Sequence, residues 1–163
     1  RSTLFPYTTL FRSLAEFRSM LKTGYRGRLE KVGSEPDILL DVSHNADGMR
    51  CTAEAVAVFR NRYRAMYVLL GMVSDKDARS AIRFLKPLDA EYAAVPVSSG
   101  RTLPATRLGA ILRQEGMVAL VFDTPEEGFE HLLLQAASRD LVLVTGSFFL
   151  AGEILRLKRF QER

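Results

Sequence analysis

The chain has 163 residues, 47% hydrophobic and 26% charged, with a formal net charge of +4. That is the length of one domain and the composition of a globular core, which excludes a disordered or fibrous chain. No apolar run reaches the roughly 18 residues of a membrane-spanning helix, and the single cysteine, Cys51, excludes an internal disulfide.

With no recognisable secretory signal, the cytoplasm is the expected compartment and no membrane partner is expected. Residues 1–13, RSTLFPYTTLFRS, have neither helical nor strand periodicity. They read as the in-frame translation of a DNA-sequencing adapter, with the junction to the gene at Ser13/Leu14. Residues 14–27 then read as a remnant or linker from a preceding domain, and residues 28–163 as the domain itself. Without Arg1 and Arg12 the charge falls from +4 to +2. The bases Arg156, Lys158, Arg159 and Arg163 fit a solvated terminal helix, so nucleic acid is not an expected partner.

In chain order, strands are expected at 28–32 and 38–42. A helix follows over 47–62, with Met49, Ala53, Val56 and Phe59 near one face. Cys51 lies within this helical pattern and is expected to be a packing residue. Next come a strand at 66–71, a helix at 77–85 with Ala81, Ile82 and Leu85 inward, and a strand at 90–95. A helix over 104–114 has Pro104 near its start, where a missing N–H costs nothing. A strand at 118–122 precedes a helix to about residue 138, which Thr124 can cap, with Pro125 in its first position. A strand at 141–145 and a helix over 149–160 close the chain. The runs at 67–70 and 141–144 are apolar throughout, as expected of strands covered on both faces. The fold class is therefore α/β, a mostly parallel sheet with flanking helices.

In such sheets ligands bind outside the carboxyl ends of the strands. Small and polar residues collect there four times: Asp41 to Asn45, Gly71 to Asp77, Pro96 to Arg101, and Thr145 to Phe149. The linkers at the opposite edge, 62–64 and 138–140, show less of this. No lysine follows a glycine, so there is no phosphate-binding Gly-Lys-Ser/Thr loop. There is also no Gly-x-Gly-x-x-Gly and no Cys/His set with zinc spacing. His131, among Phe129, Leu132 and Leu133 in mid-helix, reads as structural.

At these clusters the chain resembles the C-terminal domain of the folylpolyglutamate synthase/dihydrofolate synthase family, within the Mur ligase superfamily, over about residues 24–160. The motifs are Gly27-Arg28-Leu29-Glu30, Asp41-x-x-His44-Asn45, Gly71-Met72 with Asp75-Lys76-Asp77, and Thr145-Gly146-Ser147-Phe148, together with the thirteen-residue step from Arg28 to Asp41. The resemblance implies a Rossmann-like domain of an ATP-dependent ligase that joins L-glutamate to dihydropteroate or a folate through an acyl phosphate. It also implies that the P-loop and most magnesium ligands belong to a separate N-terminal or central domain, without which this piece is inactive.

Under that resemblance Arg28 and Asp41 are the expected ATP-binding residues, the guanidinium on the phosphates and the carboxylate on the ribose. His44 is the expected catalytic residue, orienting or deprotonating the glutamate amine, because imidazole exchanges protons near neutrality. Lys76, Ser147 and Asn45 are the expected glutamate-binding residues, with Ser147 at a helix start. No metal ligand is expected in this chain. Each of these residues also has a plainer reading, as a surface side chain, a turn or a helix cap. Two positions depart from the family: Ala46 stands where proline often follows His-Asn, and Val42-Ser43 where Gly-Ala is common. Another Mur-type amino-acid ligase, or a non-catalytic α/β binding module, are the alternative functions.

Overall fold

The computed structural model describes residues 27–73, 78–157 and 160. The strands are β1 (Glu30–Gly33), β2 (Asp37–Leu40), β3 (Met66–Leu70), β4 (Glu91–Ala94), β5 (Val118–Val121) and β6 (Leu141–Thr145). The helices are α1 (Ala46–Ala57), α2 (Ala78–Arg83), α3 (Ala105–Gln114), α4 (Pro125–Gln135) and α5 (Phe148–Leu155). The strands form one six-stranded sheet in the order β1-β2-β6-β3-β4-β5. All neighbours pair in parallel except β1, which runs antiparallel to β2 at one edge. The mostly parallel α/β sheet expected from the apolar runs is the fold of this chain.

Successive strand residues point to opposite faces, and two cores result. Leu39, Val68, Leu70, Leu141 and Leu143 pack under α1, α2 and α3 through Met49, Val56, Ile82, Leu108 and Leu112. Ile38, Leu40, Leu69, Val142 and Val144 pack under α4 and α5 through Phe129, Leu132, Leu150 and Ile154. Every residue of β3 and of β6 is buried, which is why neither strand alternates in sequence. Cys51 is buried on α1, and the His131 ring lies 5.0 Å from that of Phe122.

The winding positions the site. From β2 the chain steps to β3, β4 and β5 with its helices on one face. Helix α4 then carries it back across the other face, and β6 enters between β2 and β3. The strands on either side of β6 therefore lead to helices opposite α5, which opens the sheet edge at their carboxyl ends.

Several boundaries differ from the sequence expectation, four of them for a reason visible in the backbone. The strand expected from residue 28 begins at Glu30, because Leu29 has φ 46, a left-handed conformation no strand accepts. The helix expected to residue 62 ends at Ala57. A short 3-10 turn at Arg60–Arg62 replaces its end, and the Arg60 guanidinium donates to the carbonyls of Leu88, Tyr63 and Asp89. Helix α4 stops at Gln135 because Ala136 is extended. Helix α5 ends at Leu155, beyond which Leu157 and Phe160 bond three residues back.

The opposite edge is tied by the linkers that read as uneventful. Asp140, fully buried, accepts from Arg64 Nε at 3.1 Å and Nη2 at 2.8 Å, and from the Ala65 and Ala137 amides at 3.1 and 2.7 Å. The Arg64 guanidinium, helped by the two amides, holds the Asp140 carboxyl below its ordinary value against the opposing effect of burial.

Candidate functional site

The site is built from the loops that leave β2 and β6 and from the turn that enters β1. Asp41 follows β2 directly and is 3% exposed. Its Oδ1 accepts from the Ser43 amide at 2.9 Å and the Thr52 hydroxyl at 2.8 Å, and its Oδ2 from the Leu29 amide at 3.2 Å. A carboxylate offers roughly four acceptor sites, so three are occupied from within the chain. The Arg28 turn is held from its other side too: Val42 N donates to Gly27 O at 2.9 Å, and Gly27 N to Glu30 Oε2 at 2.8 Å. Gly27 has φ +68, and a Cβ there would meet Val42 Cγ1 at 2.7 Å. The branched side chain of Val42 thus packs against a backbone that only glycine fits. Arg28 is half-buried on this turn.

The loop 41–45 is stitched to the loop after β6. Asp41 N donates to Val144 O at 2.9 Å and Gly146 N to Ser43 O at 3.0 Å, and the His44 and Phe148 rings stand 6.0 Å apart. His44 is exposed, with Nδ1 3.2 Å from the Val42 carbonyl. A carbonyl only accepts, so Nδ1 carries the proton and Nε2 of the neutral ring has the free lone pair. Asn45 is the N-cap of α1, its Oδ1 accepting from Gly48 N at 2.8 Å. Ser147, 3% exposed, is the N-cap of α5, its Oγ accepting from Phe149 N at 3.1 Å. Both caps leave a polar hydrogen available, on Asn45 Nδ2 and on the Ser147 hydroxyl. Phe148 and Phe149 beside them are 61% and 49% exposed, an apolar rim to the loop.

Arg28, Asp41, His44, Asn45 and Ser147 thus sit on contiguous chain ends at one edge. Lys76 lies outside the described residues, as do Asp75 and Asp77. A cavity of about 440 Å³ opens further along the same edge, between the ends of β4 and β5 and α5, lined by Val97, Ser98, Thr124, Glu153, Ile154 and Leu157 among others. None of the candidate residues lines it.

The family model for the Mur ligase, glutamate ligase domain, matches residues 27–148. The chain belongs to this family. Its glutamate ligase domain is 31% identical over 137 residues to a probable bifunctional folylpolyglutamate synthase/dihydropteroate synthase of Halobacterium salinarum, covering 83% of this chain and 16% of that protein. It is 26% identical over 153 residues to the dihydrofolate synthase/folylpolyglutamate synthase of Buchnera aphidicola, covering 93% of this chain and 36% of the relative. Among solved structures, the bifunctional folylpolyglutamate synthase/dihydrofolate synthase of Yersinia pestis, complexed with AMPPNP and Mn ion, superposes with a TM-score of 0.73 at 26% identity, over 88% of this chain and 34% of that one. The chain thus spans about a third or less of the length of these relatives.

Two parts of the glutamate ligase domain's edge escaped the sequence reading. Thr52, eleven residues after Asp41, is buried against it. The available signal was a polar residue on the apolar face that carries Met49, Ala53 and Val56, since a buried hydroxyl calls for a partner. The second is the acceptor work of Asp41, which no single-residue motif conveys. Among the described residues no group of three or more His, Cys, Asp and Glu side chains is placed to hold a metal ion, and no helix is long and apolar enough to cross a membrane.

Proposed function

We propose that this glutamate ligase domain is the closing domain of an ATP-dependent amide ligase that adds L-glutamate to dihydropteroate or a folate. The observation that carries the proposal is the gathering of Arg28, Asp41, His44 and Ser147 onto adjoining loops at the carboxyl edge of β2 and β6. The family match and the nucleotide-bound Yersinia pestis relative support it. In this scheme a substrate carboxylate takes the γ-phosphoryl group of ATP, giving an acyl phosphate and ADP. The amine of L-glutamate attacks the carbonyl carbon, the amine loses a proton, and phosphate leaves as the amide forms.

Arg28 offers a fixed cationic fork to the nucleotide phosphates. Asp41, with one acceptor position left, sits on the ribose side. His44 presents Nε2 as the proton acceptor for the attacking amine. Asn45 Nδ2, the Ser147 hydroxyl and the amides at the start of α5 face the glutamate carboxylates, with Lys76 as the further cation. The phosphate-binding loop comes from a partner domain of the ligase holoenzyme. Magnesium accompanies the nucleotide, and no ligand to it is assigned among the described residues. Residues 14–27 act as the connection to that partner domain, and residues 1–13 have no part in the chemistry.

The test is Arg28→Ala and His44→Ala in the ligase holoenzyme. Each is expected to lower glutamate ligation at least about tenfold, and near-wild-type activity of both variants overturns the site. The purified 163-residue chain is expected to fold without releasing ADP from ATP, glutamate and dihydropteroate; release of ADP would show that no partner domain is needed.

A further inference from the structure

We propose that Thr52, outside every motif of the site, is a positioning residue for Arg28. Its hydroxyl fixes the Asp41 carboxylate, and the carboxylate's second oxygen fixes the backbone turn that carries the guanidinium. Thr52 is 3% exposed on the apolar face of α1, beside Met49, Ala53 and Val56. A valine has the same shape, so packing alone does not call for a hydroxyl here.

The hydroxyl is committed. Thr52 Oγ1 stands 2.8 Å from Asp41 Oδ1 and 2.9 Å from Ser43 Oγ. It has one proton, which the carboxylate takes, so Ser43 supplies the proton of the second bond. Ser43 is itself confined: a Cβ on Gly48 of α1 would lie 3.0 Å from its Oγ. The serine that departs from the family pattern is therefore paired with a threonine that receives it. Helix α1, Ser43 and Asp41 form one hydrogen-bonded unit with no buried side-chain polar atom unpaired.

The far end of that unit is the Arg28 turn. Leu29 has φ 46, a conformation that a leucine disfavours. Its amide is held by Asp41 Oδ2 at 3.2 Å, while Gly27 O receives Val42 N at 2.9 Å. Rotation of the carboxylate about its Cβ–Cγ bond would move Oδ2 away from Leu29 N, and the Thr52 hydroxyl is the side-chain donor that opposes this rotation. The departure direction of the Arg28 side chain is thereby set from α1.

With Arg28 read as the nucleotide-phosphate ligand, as proposed above, two measurements test Thr52. In the 163-residue chain, Thr52→Val is expected to speed amide exchange of Leu29 and Ser43 at least about tenfold while Val68 and Leu143 in the sheet keep their protection; Thr52→Ser restores the wild-type rates. In the holoenzyme, Thr52→Val is expected to raise KM for ATP about fivefold with kcat within about twofold, and Thr52→Ser to reverse this. Uniformly faster exchange across the sheet shows a merely stabilising residue and overturns the proposal. So does an unchanged KM in Thr52→Val when Arg28→Ala raises it. If Arg28→Ala itself leaves KM for ATP unchanged, the nucleotide role of Arg28 is what fails, and exchange at Leu29 still decides whether Thr52 holds the turn.

Discussion

Gly146 meets Gly71 backbone to backbone: a Cβ on Gly146 would stand 2.5 Å from the Gly71 carbonyl oxygen. Gly146 also has φ +108, outside the range of other residues. The ends of β6 and β3 thus approach where no side chain can intervene, and Gly71 N donates to Thr145 O at 3.4 Å. Backbone on one side and conformational strain on the other leave nothing flexible to yield. Gly146→Ala is expected to cost about 3 kcal/mol. Gly100→Ala, where a Cβ meets nothing within 4 Å, is expected to stay within about 0.5 kcal/mol. Urea denaturation of both variants checks the contrast, and equal midpoints would refute the close approach.

The buried Asp140 carboxylate predicts a pH signature. Its folded pKa lies below the ordinary carboxylate value, chiefly through the Arg64 guanidinium. The unfolded chain therefore takes up the proton first as pH falls. The stabilisation is complete above the unfolded value, near pH 4, and fades as pH drops through the folded one. The Arg64 side chain is 66% exposed, so solvent weakens the ion pair itself. The Ala65 and Ala137 amides hold the same carboxylate from the backbone, and Asp140→Ala is expected to cost about 3 kcal/mol at neutral pH. Comparing wild type with Asp140→Asn by denaturant, the gap should narrow as pH falls below about 4; a gap independent of pH would show that the charge contributes nothing.

The sheet and its edge were legible because the signals were local. The apolar runs of β3 and β6 announce burial on both faces, and the polar clusters after β2, β3, β4 and β6 fall at one edge once the strands are parallel. Placement of β6 between β2 and β3 was not legible, since an apolar strand records that it is covered and not which strand lies beside it. Nor was the left-handed Leu29, which reads as a strand residue in sequence and is held out of the strand by an acceptor twelve residues away. Asn45 and Ser147 show a third limit. Both helix-capping and ligand-binding select the same short polar side chains, and both residues are caps here.

The contact between His44 Nδ1 and the Val42 carbonyl, 3.2 Å, predicts an uncommon tautomer. The neutral ring should carry its proton on Nδ1 and leave Nε2 bare, as a proton acceptor for an amine requires. Nitrogen-15 spectra of the two imidazole nitrogens at a pH where the ring is neutral distinguish the forms directly. A proton found on Nε2 would remove His44 as the acceptor, and would also show the contact to Val42 to be broken in solution.

Asn45 allows its two roles to be separated. Its Oδ1 caps α1 through Gly48 N at 2.8 Å, and aspartate caps as well as asparagine. Asn45→Ala is expected to lose about 1 kcal/mol of stability, and Asn45→Asp about 0.5 kcal/mol or less. A ligand with two carboxylates distinguishes the same pair differently. Aspartate removes the amide donor and adds a negative charge, so Asn45→Asp should raise KM for glutamate about fivefold or more in the holoenzyme, with thermal stability held. If Asn45→Asp binds glutamate normally while Asn45→Ala is merely less stable, Asn45 is a cap and nothing else. If the stable aspartate variant loses glutamate, the residue that starts α1 also reads the substrate.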